Sequence, residues 1–145
     1  MKRSPDREDV QLAMSNSTTS GALVGTAIDA HGYGRAKFVF TFGVPGADAS
    51  IKASSIGVWC AAGSNSSVVG ATTYASVPGA FLGAKSSGLI SHGAYVIDLA
   101  VPAGSRFLKI SGIVDSSTVP MSATVNLYEK VNRPPTSTLT TVIVN

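Results

Sequence analysis

The sequence predicts an all-β protein: an antiparallel β-sandwich, jelly-roll-like, with an extended N-terminal arm. Apolar residues recur at every second position in several segments, which is the period of a half-buried strand. Turn residues separate these segments every 8–12 residues or so, and seven or eight strands result, the pattern of a sandwich. Apart from a weak helical turn at residues 7–14, no stretch shows the spacing of an amphipathic helix. Eight strands in two Greek keys would make a jelly roll.

The 145 residues are predicted to form one domain, residues 21–145, preceded by a polar arm, residues 1–20. A chain of this size buries enough surface for a core without disulfides or metal. The arm has balanced charges and no strand alternation, so alone it is expected to be disordered. Fully extended it would reach up to roughly 65 Å. It therefore needs a partner to lie on, or else it folds back over its own sandwich.

Two strands are predicted before residue 45. Residues 22–29 form a short strand that is closed by the glycine-containing turn Asp29–Gly34. Residues 36–44 alternate strictly and end at Pro45-Gly46, which marks a turn. One face of this second strand is aromatic, with Phe38, Phe40 and Phe42 at period two. We expect this face to be buried.

The middle of the chain is less regular. Residues 51–61 carry apolar side chains at both parities, which predicts a strand covered on both sides. Residues 62–93 are rich in Ser, Gly and Ala, and contain Tyr74 and Phe81. A segment of this length in a compact domain usually has some structure or a function of its own. We expect a short strand near residues 68–75 and a contact surface.

A hairpin is the clearest prediction in the last third. Residues 94–101 turn at Pro102–Ser105 and return over residues 106–114. After a break at Asp115–Thr118, residues 121–130 alternate again, and residues 138–144 form a last β-branched strand. The side chains predicted to point inward are Tyr95, Ile97, Leu99, Val101, Leu108, Ile110, Ala123, Val125 and Leu127.

The composition argues against an enzyme. Charged residues make up 13% of the chain, about half the usual 25%. There are two histidines, one cysteine and two glutamates, so the supply of acids, bases and nucleophiles is small. His31 and His92 lie beside glycines, and together with Cys60 they lack the short spacing of metal ligands. The prediction is therefore no catalytic site, no metal and no cofactor.

The charge distribution argues against nucleic acid and membrane partners. The net charge is +3, but the lysines and arginines beyond residue 9 are scattered singly. Nucleic-acid binders cluster such residues on one face. No run of about 18 apolar residues is present, and no apolar segment of a secretory signal follows the charged start. We expect synthesis and assembly in a cytoplasm.

Two alternative sites remain open at this stage. Asp98 and Glu129 are the strand carboxylates that paired-carboxylate hydrolysis would need. An aromatic sugar platform is the other alternative, although core packing or a contact between subunits is the simpler role for such residues. Its members would be Trp59, Tyr33, Tyr74 and Tyr128.

Two motifs give the chain a family resemblance. The first is Asp29-x-His-Gly-Tyr33, followed by the alternating strand Lys37-Phe-Val-Phe-Thr-Phe-Gly43. The second is the hairpin Asp98-Leu-Ala followed by Arg106-Phe-Leu-Lys-Ile. Over residues 22–130 the chain resembles small virion proteins of tailed bacteriophages. Residues 62–93 are longer and richer in Ser and Gly than that pattern.

The resemblance implies a capsid decoration, or cement, protein of jelly-roll type. Such a protein binds the major capsid protein on the outside of the virion, often as a trimer, and stabilises the lattice at capsomer junctions. The alternative is a carbohydrate- or host-binding module on the tail or head. We expect no contact with nucleic acid or membrane. The predicted contact residues are Arg3, Arg7, Val10 and Leu12 in the arm and Tyr74 and Phe81 in the irregular segment.

Overall fold

A computed structural model of the chain describes residues 9–43, 51–52, 56–61, 74–82, 89–90, 93–130 and 141–144. Strands account for the regular structure of these residues, with no α-helix among them, and they pack as an antiparallel β-sandwich. The strands are β1 Asp9–Val24, β2 Ile28–Asp29, β3 Tyr33–Phe42, β4 Ile51–Lys52, β5 Gly57–Ala61, β6 Ala75–Phe81, β7 Leu89–Ile90, β8 Gly93–Ala100, β9 Phe107–Lys130 and β10 Thr141–Val144.

The long strand β9 belongs to both sheets of the sandwich. Its C-terminal part, residues 121–130, pairs with β3, which continues through β8 to β10; this is the first sheet. Its N-terminal part, residues 107–111, pairs with β5, which continues to β6; this is the second sheet. On the other side of β9, β1 borders both sheets and β2 borders the second. β4 and β7 form a separate pair.

The β1–β9 pair bends sharply between the two sheets. Thr19 pairs with Val119 and Gly21 with Val114. Between these two pairs β9 has four residues, 115–118, whereas β1 has one, which makes a bulge in β9. The two ends of this bent segment lie close together, since the Thr26 N–H donates a hydrogen bond to the Ala13 carbonyl at 2.9 Å. An extended strand of that length would span roughly 40 Å. The pair has therefore folded back on itself and brought the two sheets face to face.

The core lies between these two sheets and follows the predicted alternation. Phe38 and Phe40 are fully buried, and Phe42 stacks on Phe40 and meets the edge of Tyr95. Along β9 the buried parity changes between Ile110 and Met121, which the register shift explains. The inward positions predicted on β8, directly after it and on β9 are buried as expected: Tyr95, Ile97, Leu99, Val101, Leu108, Ile110, Ala123, Val125 and Leu127.

Several sequence predictions need correction. The helical turn at residues 7–14 is wrong where it can be compared, because residues 9–14 are strand. Residues 51–61 are not one strand, since β4 pairs with β7 and β5 belongs to the second sheet. Asp115–Thr118 does not end the strand; it is the bulge of β9, paired on either side with β1. The strand near residues 68–75 lies mostly outside the described residues, and β6 begins at Ala75.

The predicted arm has a different outcome in its two parts. Residues 9–20 lie in β1 and pair with β9 of the same chain, which is the alternative that the sequence left open. Residues 1–8 lie outside the described residues. The β-sandwich is confirmed, whereas the jelly-roll topology and a freely extended arm stay predictions.

Candidate functional site

The Asp29 turn, which carries part of the resemblance, is held by its carboxylate. Asp29 accepts a hydrogen bond from the His31 backbone N–H at 3.0 Å. It also accepts bonds from Arg106 Nε and Nη2, the shortest of them 2.6 Å. Hydrogen bonding by Arg106 lowers the pKa of the Asp29 carboxyl. Gly32 has a φ of 83°, a conformation that favours glycine. These contacts give the motif a structural role in joining the turn to the start of β9.

A second polar cluster, the Arg35 cluster, lies on the first sheet and consists of Arg35, Asp98 and Tyr128. The Tyr128 hydroxyl donates to Asp98 at 2.6 Å and accepts from Arg35 Nε at 2.9 Å. Arg35 Nη2 also donates to Asp98 Oδ1 at 3.0 Å. Burial, together with the hydrogen bond to Asp98, raises the pKa of Tyr128. The cluster joins β3, β8 and β9 across their outer face.

Asp98 and Glu129, the two carboxylates considered from the sequence, lie in different environments. Asp98 is engaged by Arg35 and Tyr128. Glu129 is exposed and has a φ of 53°, which is unusual for a residue other than glycine. Asp98 thus has charge and hydrogen-bond partners of its own, which favours a structural role for this carboxylate.

An aromatic cluster lies on the second sheet, outside the main core. Tyr74 and Phe107 are buried there with Ala61, and Trp59 packs against them. The Lys109 ammonium stands 4.1 Å from the centre of the Tyr74 ring, within cation–π range. The Trp59 Nε1 and the Tyr74 hydroxyl are buried, and neither has a hydrogen-bond partner among the residues that the structure describes. Burial raises the pKa of the Tyr74 hydroxyl.

The aromatic residues considered as a sugar platform do not share one surface. Trp59 and Tyr74 belong to the aromatic cluster of the second sheet. Tyr128 belongs to the Arg35 cluster of the first sheet, and Tyr33 packs against the main core. A sugar platform needs ring faces that are open together. These four side chains are distributed over three environments.

The remaining reactive side chains are dispersed. His31 is exposed in the Asp29 turn, and Cys60 is a free thiol, half-buried against the main core. His92 lies outside the described residues. Within the described ranges, no three His, Cys, Asp or Glu residues lie close enough to hold a metal ion. The same residues include no helix that could cross a membrane.

The predicted contact residues fall into three groups. Val10 and Leu12 are the large hydrophobic side chains that are exposed among the described residues, at 67% and 57%. Tyr74 is buried in the aromatic cluster, and Phe81 is half-buried on β6. Arg3 and Arg7 lie outside the described residues. The structure thus leaves Val10 and Leu12 available for contact.

The outer face of the first sheet, turned away from the core, is a broad surface with few charges. Rows of paired residues cross it from β1 through β9 and β3 to β8, for example Leu12, Thr124, Val39 and Val96. Small and β-branched side chains predominate, and the charged groups described on it are Lys37 and the Arg35–Asp98 pair. Its other members are Val10, Thr41, Ala94, Ser122, Asn126 and Tyr128.

Sequence reasoning named Asp98 but missed Arg35 as its partner. A usable signal was present, because Arg35 has the parity opposite to that of the phenylalanines of β3 and must therefore point outward. What the sequence lacked was the register that sets Arg35 beside Tyr128. No protein-family model matches the chain, and no curated protein or solved structure matches it either.

Proposed function

We propose that this chain is a virion structural protein that binds the outside of a bacteriophage capsid and stabilises the lattice at capsomer junctions. Its partner is the major capsid protein, and its site of action is the exterior of the particle. The proposal combines the sequence resemblance with the surface properties of the sandwich. It assigns no bond-making chemistry to the chain.

The observation that carries the proposal is the outer face of the first sheet. An extended surface of Thr, Val, Ala and Ser loses little side-chain conformational entropy when another protein packs on it, because short side chains have few rotamers to give up. Three charged side chains are described on this face, and two of them, Arg35 and Asp98, pair with each other at 3.0 Å, which leaves Lys37 as the third. Binding therefore removes few unpaired charges from water, which keeps the desolvation cost low.

A protein of this kind acts by mass action. A face that binds the assembled shell, but not separated capsomers, stabilises the assembled state by an amount that grows with its concentration and affinity. Many copies on one particle act together through multiple contacts. The seam between capsomers is the place where such added contacts resist the pressure of packaged nucleic acid.

Retention on particles tests the proposal. The virions of the phage that encodes the chain would be banded in a density gradient, and the molar ratio of this chain to the major capsid protein measured by quantitative mass spectrometry. We expect a fixed ratio for the wild type. The variant Thr41→Arg with Thr124→Arg puts two charges on the outer face, at positions that are exposed in the free chain. It should reduce retention at least tenfold.

Ser76→Arg is the matched control, because Ser76 is exposed on β6 of the second sheet. We expect it to remain on particles at the wild-type ratio. Absence of the wild-type chain from banded virions would overturn the proposal. Specific glycan binding by the isolated chain, without retention on particles, would instead favour the host-binding alternative.

A further inference from the structure

Strand β1 forms an open border of the first sheet. In the part of the chain that the structure describes, residues 9–14 of β1 pair with β9 on one side and with no strand on the other. The bond from the Thr26 N–H to the Ala13 carbonyl closes this border at Ala13. Within the described ranges, the open part is therefore Asp9–Leu12. The backbone groups of such an edge can pair with a further strand.

This border also carries the exposed apolar side chains. Val10 and Leu12 lie two residues apart and thus point to the same face of β1. They are 67% and 57% exposed. Natural sheet edges are commonly protected by lysine or proline, and residues 10–14 contain neither. The edge therefore combines an unpaired backbone with apolar side chains.

We infer that two copies of this chain associate edge to edge through β1, antiparallel, about a two-fold axis at Gln11. In this register Gln11 lies opposite Gln11 of the second copy, and Val10 lies opposite Leu12. The two-fold axis generates this Val10–Leu12 pair twice, so each exposed side chain of one copy is covered by an apolar side chain of the other. Self-complementarity of this kind is what a two-fold interface requires.

The charges of β1 fit the same register. A two-fold interface brings identical residues together, so a charge close to the axis meets its own copy. Between Arg7 and Arg35 the chain has no lysine or arginine, and Asp9 is the one acidic residue of β1. Pairing about Gln11 sets Asp9 opposite Ala13 and keeps the two carboxylates apart. Asp9 also accepts a hydrogen bond from Gln11 Nε2 at 2.7 Å within its own chain.

Cross-linking tests the register directly on the full chain. Residues directly opposite each other in an antiparallel pair have Cα atoms about 4.5–5.5 Å apart, within the range that a disulfide bridges. In a Cys60→Ala background, Gln11→Cys should therefore form a covalent dimer on mild oxidation. Thr41→Cys, which is exposed on the same sheet but two strands from β1, should stay monomeric on denaturing gels. Equal cross-linking of both variants, or none by Gln11→Cys, would overturn the inference.

Sedimentation gives a second readout that needs no cysteine. One chain has a mass of 14.7 kDa. As the concentration rises, the measured mass of the wild type should approach twice this value. Leu12→Lys should weaken this association at least tenfold, and Thr41→Lys should not change it. A single-chain or three-chain mass at all concentrations would refute two-fold pairing. Because the purified chain is measured without particles, failure here is distinguishable from failure of the proposed capsid binding.

Discussion

Gly57 is the position where the packing of the second sheet can be tested most sharply. It is buried on β5, opposite Phe81 of β6 on one side and Ser111 of β9 on the other. A Cβ atom at this position would stand 2.5 Å from Phe81 Cδ1 and 2.6 Å from the carbonyl oxygen of Ala80. The phenylalanine ring can turn, but the carbonyl belongs to the backbone of β6. Gly57→Ala therefore requires a shift of β6.

The expected cost follows from two opposing effects. Overpacking a well-filled site costs roughly 1–3 kcal/mol, and a backbone clash belongs at the upper end of that range. Replacing glycine by alanine also restricts the unfolded chain, which returns about 0.4–1 kcal/mol. The net loss is about 2 kcal/mol. For a domain of this size each kcal/mol lowers the melting temperature by about 2–4 °C, so Gly57→Ala should melt about 4–8 °C below the wild type.

Calorimetry and urea unfolding measure this loss, and Gly43→Ala is the matched control. A Cβ atom at Gly43 would meet the ring of Pro120 at 3.0 and 3.2 Å. The Gly43 N–H would keep its bond to the Pro120 carbonyl. We expect this variant to lose less than about 1 kcal/mol, because the Pro120 ring has to move by only a few tenths of an ångström and the entropic gain is the same. Equal stability of the two variants would refute the packing of β6 over Gly57.

Two further predictions concern the polar contacts. The pKa of Asp29 is lowered in the folded protein by Arg106, so the stability from this pair is present above the unfolded pKa, about 3.9. It is lost as the pH falls through the lower folded value. In urea unfolding, the stability difference between wild type and Asp29→Asn should therefore shrink between about pH 6 and pH 2, and a constant difference would contradict this. Tyr128→Phe removes a hydroxyl that bonds both Arg35 and Asp98, at an expected cost of about 1–2 kcal/mol. Tyr33→Phe is the control. In an absorbance titration, Tyr128→Phe should lose a tyrosine that ionises at a higher pH than an ordinary tyrosine, because the pKa of Tyr128 is raised.

The parts of the fold that could be predicted are those governed by local alternation. The aromatic face of β3 follows from residues two apart, and Phe38 and Phe40 are fully buried. The turn at Pro102–Ser105 is present, with the Ser105 N–H bonded to the Pro102 carbonyl and Gly104 at a φ of 76°. Such features depend on neighbours in sequence and on the conformational freedom of glycine. The β-sandwich follows from them. The predicted hairpin is wrong, because β8 pairs with β3 and β10 in the first sheet, whereas residues 107–111 of β9 pair with β5 in the second.

The parts that could not be predicted depend on pairing between distant residues. Asp115–Thr118 has the composition of a turn, yet β1 supplies partners on both sides and the strand continues as a bulge. Residues 9–20 belong to a segment that is polar overall and resembles an arm, but β9 pairs with them. The Arg35 cluster likewise depends on registers that join residues 63 and 93 positions apart. Strand propensity depends strongly on such context.

Part of the resemblance rests on residues that lie outside the proposed contact face, and this separation has a consequence. Asp29 and Arg106, which carry part of the resemblance, bond to each other and join a turn to β9. Proteins that share only this pair would share a way of closing the sandwich, without sharing a partner. Evidence of capsid binding must therefore come from surfaces that the pair does not touch, namely Thr41 and Thr124. If variants of Asp29 reduced particle retention only in proportion to their loss of folded protein, while variants of Thr41 reduced retention with folding intact, binding would belong to the outer face.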